Sequence, residues 1–144
     1  PVFLAYLLLG NPTDIKAISR FNDSGTEIQT AVLMQYGHAQ AILNSSFTHT
    51  SRMSAEVAGS KGAVHLLPRF HESQGYTITL GDQKQTVALP TKGQGYYYEI
   101  KEVHHCLEQG KTQSQLWSHT DSMNLISLLD RIRELCGIKF PFEN

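Results

Sequence analysis

The chain opens on an unbroken apolar run, Pro1-Val2-Phe3-Leu4-Ala5-Tyr6-Leu7-Leu8-Leu9, that stops at Gly10-Asn11-Pro12. The run is too short to span a bilayer. It lacks the basic leader and small-residue cleavage site of a signal peptide. It predicts a buried helix ended by a glycine cap, with proline two residues later. A helix that opens at residue 1, with no initiator Met, leads to the expectation of a longer parent protein.

Alternation follows. Ile15, Ala17, Ser19 and Phe21 share one face of a strand. Ile28, Thr30, Val32, Met34 and Tyr36 share one face of the next, and Ala39, Ala41, Leu43, Ser45 and Phe47 of a third. Successive side chains of a strand point to opposite faces, so each set belongs to a core. Asn22-Asp23-Ser24-Gly25 and Gly37-His38 supply the turns. Shorter strands are expected over 53–59, 62–68, 76–80 and 85–89, with hairpin turns at Gly59-Ser60-Lys61-Gly62 and Gly81-Asp82. No long helical pattern separates these strands. Hairpins and an antiparallel or mixed sheet are therefore expected, not repeated βαβ units.

Two helices close the chain. Tyr96, Ile100, Val103 and Leu107 fall at helical spacing before Gly110. Ser118 and Asp121 have the spacing of a capping box. Leu125, Ile126, Leu129, Ile132 and Cys136 then form a stripe that ends at Gly137. The fold class is α+β: an open, mainly antiparallel or mixed β-sheet with helices on one face and the other face available for dimerisation. The whole of 1–144 reads as one domain, long enough to bury a core.

Composition narrows the chemistry. Twelve basic and thirteen acidic residues give a formal net charge of −1, so the footprint of a nucleic-acid binder is not present. Cys106 and Cys136 are too few for a disulfide framework, and a reducing, cytoplasmic setting fits them best. Both lie in helical patterns, where a lone cysteine acts as a small apolar residue.

Seven histidines invite a metal site. However, His104, His105 and Cys106 are consecutive on a helix, and their side chains diverge. His65 and His71 are too loosely spaced to suggest a pair. Neither cysteine stands in a polar cleft pattern, which argues against a Cys–His nucleophile. Gly59-Ser60-Lys61-Gly62 lacks the glycine spacing and following helix of a phosphate loop. No Gly-x-Gly-x-x-Gly follows a strand, so no dinucleotide site of the βα-turn kind is expected in this chain. No catalytic residue, cofactor-binding residue or metal ligand is assigned.

Two regions remain as candidates. The outward face of the first three strands carries Lys16, Ile18 and Arg20, then Gln29, Ala31, Leu33 and Gln35, then Gln40, Ile42, Asn44 and Ser46. A face meant for water carries more Lys and Glu. Arg20, Gln29, Leu33, Gln40 and Ile42 are therefore candidates for a wet, self-complementary dimer interface. Arg20 is its expected anchor, because a guanidinium offers a planar fork of donors. A solvated sheet surface is the plainer alternative.

The second region is the glycine-rich loop Pro90-Thr91-Lys92-Gly93-Gln94-Gly95, with Tyr96 after it. Such loops at helix starts expose backbone donors, which suits hydroxyl-rich ligands. Lys92, Gln94 and Tyr96 are the candidate substrate-adjacent residues. The competing reading is structural, with Tyr96 and Tyr97 packed and Tyr98 set against a sheet edge.

Residues 95–143, with Glu56-Val57-Ala58-Gly59-Ser60-Lys61-Gly62 and the leading helix, resemble the C-terminal domain of the Gfo/Idh/MocA oxidoreductases. The likeness is to the branch with dihydrodiol dehydrogenase and NADP-dependent xylose dehydrogenase. It rests on the order of a Tyr-Glu helix, a Cys106-Leu107-x-x-Gly110-Lys111 end, a Ser-capped helix and Gly137-Ile138-Lys139-Phe140-Pro141. Gln113 departs from the Glu that relatives commonly carry before the serine.

The resemblance implies a two-domain parent that oxidises a sugar or polyol hydroxyl, or reduces the carbonyl, by hydride transfer. NAD or NADP would bind a Rossmann domain of the same parent chain. The family's catalytic lysine, and its Asp with Tyr or His, would fall upstream of Pro1. The fragment alone is expected to be inactive and to bind no cofactor. It would supply one wall of the substrate site and a homodimer face, with no nucleic-acid or membrane partner. A stand-alone, non-catalytic binding or scaffold module of the same architecture is the alternative.

Overall fold

The computed structural model describes residues 1–93, 95–140 and 142. Three α-helices and seven strands occur among them, in two sheets whose pairings are all antiparallel and neither of which closes. The fold is α+β, as the alternation and the two late helical patterns require. Residues divide into two compact units, Pro1–His49 with Gln115–Asn144, and Thr50–Ser114.

The first unit contains helix α1 (Val2–Leu9), strands β1 (Asp14–Phe21), β2 (Glu27–Gln35) and β3 (Gln40–Ser46), and helix α3 (His119–Leu135). Gly10 ends α1 at φ 74° and donates its N–H to the Tyr6 carbonyl. Asn22 closes the first hairpin, its side-chain oxygen accepting from the backbone N–H of Ser24 and Thr26. The β1–β2 and β2–β3 registers put Lys16, Leu33 and Ile42 in one row, and Ile18, Ala31 and Asn44 in the next.

The opposite side of this sheet is the core. Ile15, Val32, Met34 and Tyr36 are buried there with Ala5 and Tyr6 of α1 and Leu128, Ile132 and Cys136 from α3 and its cap. Met34 is fully buried and accepts a hydrogen bond from the Tyr36 hydroxyl at 3.4 Å. Burial pushes the Tyr36 phenol pKa up. Three residues of the core-facing sets are exposed: Ser45 near the end of β3, and two phenylalanines. Phe47 lies one residue past the end of β3 and is exposed, and Phe21 follows a register shift at Arg20/Phe21 and is also exposed.

Helix α3 starts on the capping box that its sequence predicts. The Ser118 hydroxyl accepts from the Asp121 N–H at 3.1 Å, and the Asp121 carboxylate accepts from the Ser118 N–H at 2.9 Å. Its buried stripe is turned relative to the expected one. Leu128 is buried with Ile132 and Cys136, whereas Ile126 and Leu129 are exposed. Leu128 and Ile132 are four residues apart, so the face toward the sheet is one helical row, and Ile126 and Leu129 fall outside it.

The second unit holds β4 (Ala55–Gly59), β5 (Gly62–Leu66), β6 (Gly75–Leu80), β7 (Gln83–Ala88) and helix α2 (Tyr96–Glu108), with a single 3-10 turn at Phe70–Glu72. The strands pair in sequence order, as hairpins require. Two glycines mark close backbone approach. A Cβ at Gly62 would stand 2.1 Å from the Thr79 carbonyl oxygen, and one at Gly75 would stand 2.2 Å from that of Val87. Only glycine fits against a neighbouring strand at such range.

Apolar burial in this unit is thin. Tyr96, Ile100, Val103 and Leu107, the expected buried stripe of α2, are all at least half exposed. Cys106, on another side of the helix, is buried instead.

Candidate functional site

The loop before α2 is fixed at its entrance. The Gln74 side chain donates to the Thr91 hydroxyl at 2.9 Å and accepts from the Thr91 N–H at 3.2 Å. Gly93 and Gly95 then take positive φ values of 59° and 96°, conformations open to glycine without strain. Lys92 does not meet Tyr96. Its Nζ lies over the Tyr97 ring, 5.0 Å from the centroid, in cation–π geometry. Tyr97 stands edge-on to Tyr98 at 5.2 Å. Tyr96 is 65% exposed, and neither Tyr97 nor Tyr98 is buried, so the expected packing of these rings is absent. Gln94 lies outside the described residues. The loop thus presents a cation and three accessible phenols at the start of a helix.

The other end of α2 is tied down. Ser114 donates to Glu102 at 2.5 Å, and the Cys106 thiol points at the same carboxylate at 3.5 Å. The Ser114 hydrogen bond holds the Glu102 pKa below the usual carboxylate range. Desolvation, aided by the Glu102 carboxylate, raises the Cys106 pKa. A thiol whose thiolate is disfavoured in this way is a poor nucleophile. The cluster fastens the loop after α2.

Gly59-Ser60-Lys61-Gly62 joins β4 to β5 as a hairpin, so it cannot cradle a pyrophosphate as a strand-to-helix turn does. Among the described residues, no group of three His, Cys, Asp or Glu side chains is placed to hold a metal ion. His65 pairs instead with Glu56 across β4–β5 at 3.1 Å. No helix among the described residues is long and apolar enough to cross a membrane.

In the first unit the outward face of β1–β3 has the composition that its sequence predicts. Ile18 is 72% and Ile42 81% exposed, with Leu33 between them in the lattice of rows, and Arg20 and Gln40 are exposed toward the two ends. Gln29 sits beside Arg20 and is half-buried. Lys16 lies 3.2 Å from Asp14 and hydrogen-bonds it, which lowers the Asp14 pKa.

Sequence reasoning missed a half-buried polar knot near α1. The Tyr6 hydroxyl donates to Asp121 at 3.1 Å and accepts from Asn124 at 3.1 Å, while Trp117 packs on Phe3 and Tyr6. A shallow hollow of about 200 Å³ borders this knot, lined by Leu7, Leu116, Trp117 and Asp121 among others. Its partners are more than a hundred residues apart, so no local spacing signals it.

Comparison with known proteins adds to this picture. No protein-family model matches the chain. It is 25% identical over 141 residues to the scyllo-inositol 2-dehydrogenase (NADP(+)) IolU of Bacillus subtilis, across 97% of this chain and 43% of that protein. It is 29% identical to the trans-1,2-dihydrobenzene-1,2-diol dehydrogenase of Sus scrofa, across 90% of this chain and 41% of that one. The chain thus spans about two fifths of the length of these relatives. In three dimensions it is similar to the 3-ketoreductase KijD10 of Actinomadura kijaniata, at a TM-score of 0.75, 22% identity, and coverage of 94% and 44% of the two chains. That likeness shows the fold. The homologues of this chain are oxidoreductases of the Gfo/Idh/MocA type.

Proposed function

We propose that this chain is the C-terminal domain of an NAD(P)-dependent oxidoreductase that transfers hydride between the nicotinamide and a hydroxyl or carbonyl of a sugar, polyol or related diol. One observation carries the reading: over 90–97% of the chain, the relatives are dehydrogenases of a polyol or a vicinal diol. A solved neighbour in complex with NADP supports the cofactor class. In this reading a Rossmann domain of the same parent holds the cofactor, since the hairpin that joins β4 to β5 is not the strand-to-helix turn that cradles a pyrophosphate.

In this reading the loop with Lys92, Gln94 and Tyr96 forms one wall of the substrate site. Its phenols and ammonium suit a ligand dense in hydroxyls, with Tyr97 holding Lys92 in place. The outward face of β1–β3 joins two copies, through Arg20, Gln29, Leu33, Gln40 and Ile42. Two unpaired, buried cysteines accord with a cytoplasmic setting.

The full reading frame should reduce NAD or NADP when offered sugars, polyols and vicinal diols in turn. Tyr96→Ala should raise KM more than it lowers kcat, as loss of a wall contact does. Absence of turnover with every diol and sugar overturns the proposal. The chain studied alone should give no saturable heat with NAD(H) or NADP(H) by calorimetry, and clear binding would contradict the placement of the cofactor.

A further inference from the structure

The outward face of β1–β3 is asymmetric from end to end, and the asymmetry points to one way of pairing two copies. Four rows cross the three strands. Asp14 opens the first and Lys16 the second, and Ile18 opens the third and Arg20 the fourth. On β2 the same rows run Gln35, Leu33, Ala31, Gln29. One end therefore carries a carboxylate and the other a guanidinium. Of the two middle rows, one is bulky at its centre and the other is small.

Two-fold symmetry lets two such faces meet in two principal ways. An axis along the strands keeps like rows together and sets β1 over the partner's β3. Arg20 would then face a second Ser46 and Asp14 a second Gln40, while Leu33 would meet Leu33. An axis across the strands keeps β1 over β1 and reverses the rows. Arg20 would then face Asp14 of the other copy, twice per dimer, and Leu33 would seat over Ala31.

The geometry points to the second arrangement: a face-to-face homodimer whose two-fold axis runs across the strands, with reciprocal Arg20–Asp14 pairs at its two ends. This rests on the pairing of sheet faces proposed above and adds its orientation. Among the described residues Arg20 makes no ion pair within its own chain, and it is exposed. Asp14 already holds Lys16 at 3.2 Å, yet a carboxylate has room for a second donor on its other lone pairs. An arginine fork is the partner that fits. Seating Leu33 over Ala31 alternates large with small across the layer, as dense packing between facing sheets requires. The exposed Ile18 would lie against the aliphatic stem of the opposite Lys16.

Charge reversal tests it by sedimentation equilibrium, with circular dichroism confirming that each variant folds. Asp14→Arg sets two cations opposite each other, and Arg20→Asp sets two anions. Each should weaken association by about tenfold or more. The double variant D14R/R20D restores opposite charges across this axis and should return to within about threefold of the unaltered chain. Failure of the double variant to recover, or single variants that associate normally, overturns the orientation and leaves the dimer standing. An unaltered chain that is monomeric at micromolar concentration overturns the dimer itself. A second readout uses a short bis-maleimide. An equal mixture of Ala31→Cys and Leu33→Cys chains should cross-link more than either alone, the native Cys106 and Cys136 being buried. Preferential cross-linking of Leu33→Cys with itself would establish the axis along the strands.

Discussion

Asp121 holds more of the first unit together than its place on a helix surface suggests. It caps α3 with Ser118 and accepts the Tyr6 hydroxyl from α1. The Ser118 side chain and then its N–H lower the Asp121 pKa, with the Tyr6 hydroxyl as a smaller cause. A carboxylate whose pKa is depressed in the folded state stabilises it above the unfolded pKa, and that support fades as pH falls through the folded value. Stability should therefore drop as the pH is taken below about 4. Asp121→Asn should flatten that acid limb while lowering stability at neutral pH. Urea denaturation followed across the acid range measures both. Ser118→Ala removes the reciprocal partner and should be worth about 1 kcal/mol by the same method. The capping box was legible from two residues at fixed spacing, because a cap is a local device. The link to Tyr6 was not, since nothing near Asp121 names a phenol that lies over a hundred residues away.

Among the elements, strands were read more faithfully than helix faces. A strand has two sides, so alternation assigns Ile15, Val32 and Met34 to the core and Ile18, Leu33 and Ile42 to the outside in a single step. A helix offers a continuous surface, and the apolar stripe says only which side wants cover. In α3 the true line of contact runs through Leu128, and in α2 the stripe of Tyr96, Ile100, Val103 and Leu107 lies open. Strand partners were legible where a hairpin joins them. The linker between β3 and β4 carries no such signal, and the strands pair as two sheets, β1 to β3 and β4 to β7. The glycines of the second sheet carry their own test. Gly62→Ala would drive a methyl group to 2.1 Å from the Thr79 carbonyl, so β5 and β6 must separate locally. A destabilisation of about 2 kcal/mol is expected, with exchange quickening in β5 and β6 amides. An unchanged melting curve would show that the strands yield freely.

At the scale of the whole chain, apolar burial is uneven. The first unit has a contiguous core of nine buried residues on one side of a sheet. In the second unit, Cys106 is the one apolar side chain that reaches burial among the described residues, and the buried Thr77 hydroxyl pairs with Thr86 at 3.0 Å. Local opening is easiest where few apolar contacts oppose it. Native-state hydrogen exchange should therefore find the slowest amides in β2, with β4 to β7 exchanging well before them. Equal protection in both units would count against this account. The placement of Lys92 over Tyr97 was not readable from spacing, since a cation over an aromatic ring depends on turns that only the folded backbone supplies.

Helix α1 bears on how this protein must be handled. Phe3, Leu7 and Leu8 leave about half of their surface in water on a helix with no polar side. Salting-out anions such as sulfate press greasy surfaces together, while dissolved ions of any kind blunt attraction between opposite charges. Buffer composition thus becomes a dial with two opposed effects: raising it encourages indiscriminate clumping through α1 while loosening any orderly pairing at Arg20. A dilute, low-salt solution is the regime in which the chain's own preferences are heard above the noise of its oily first turn.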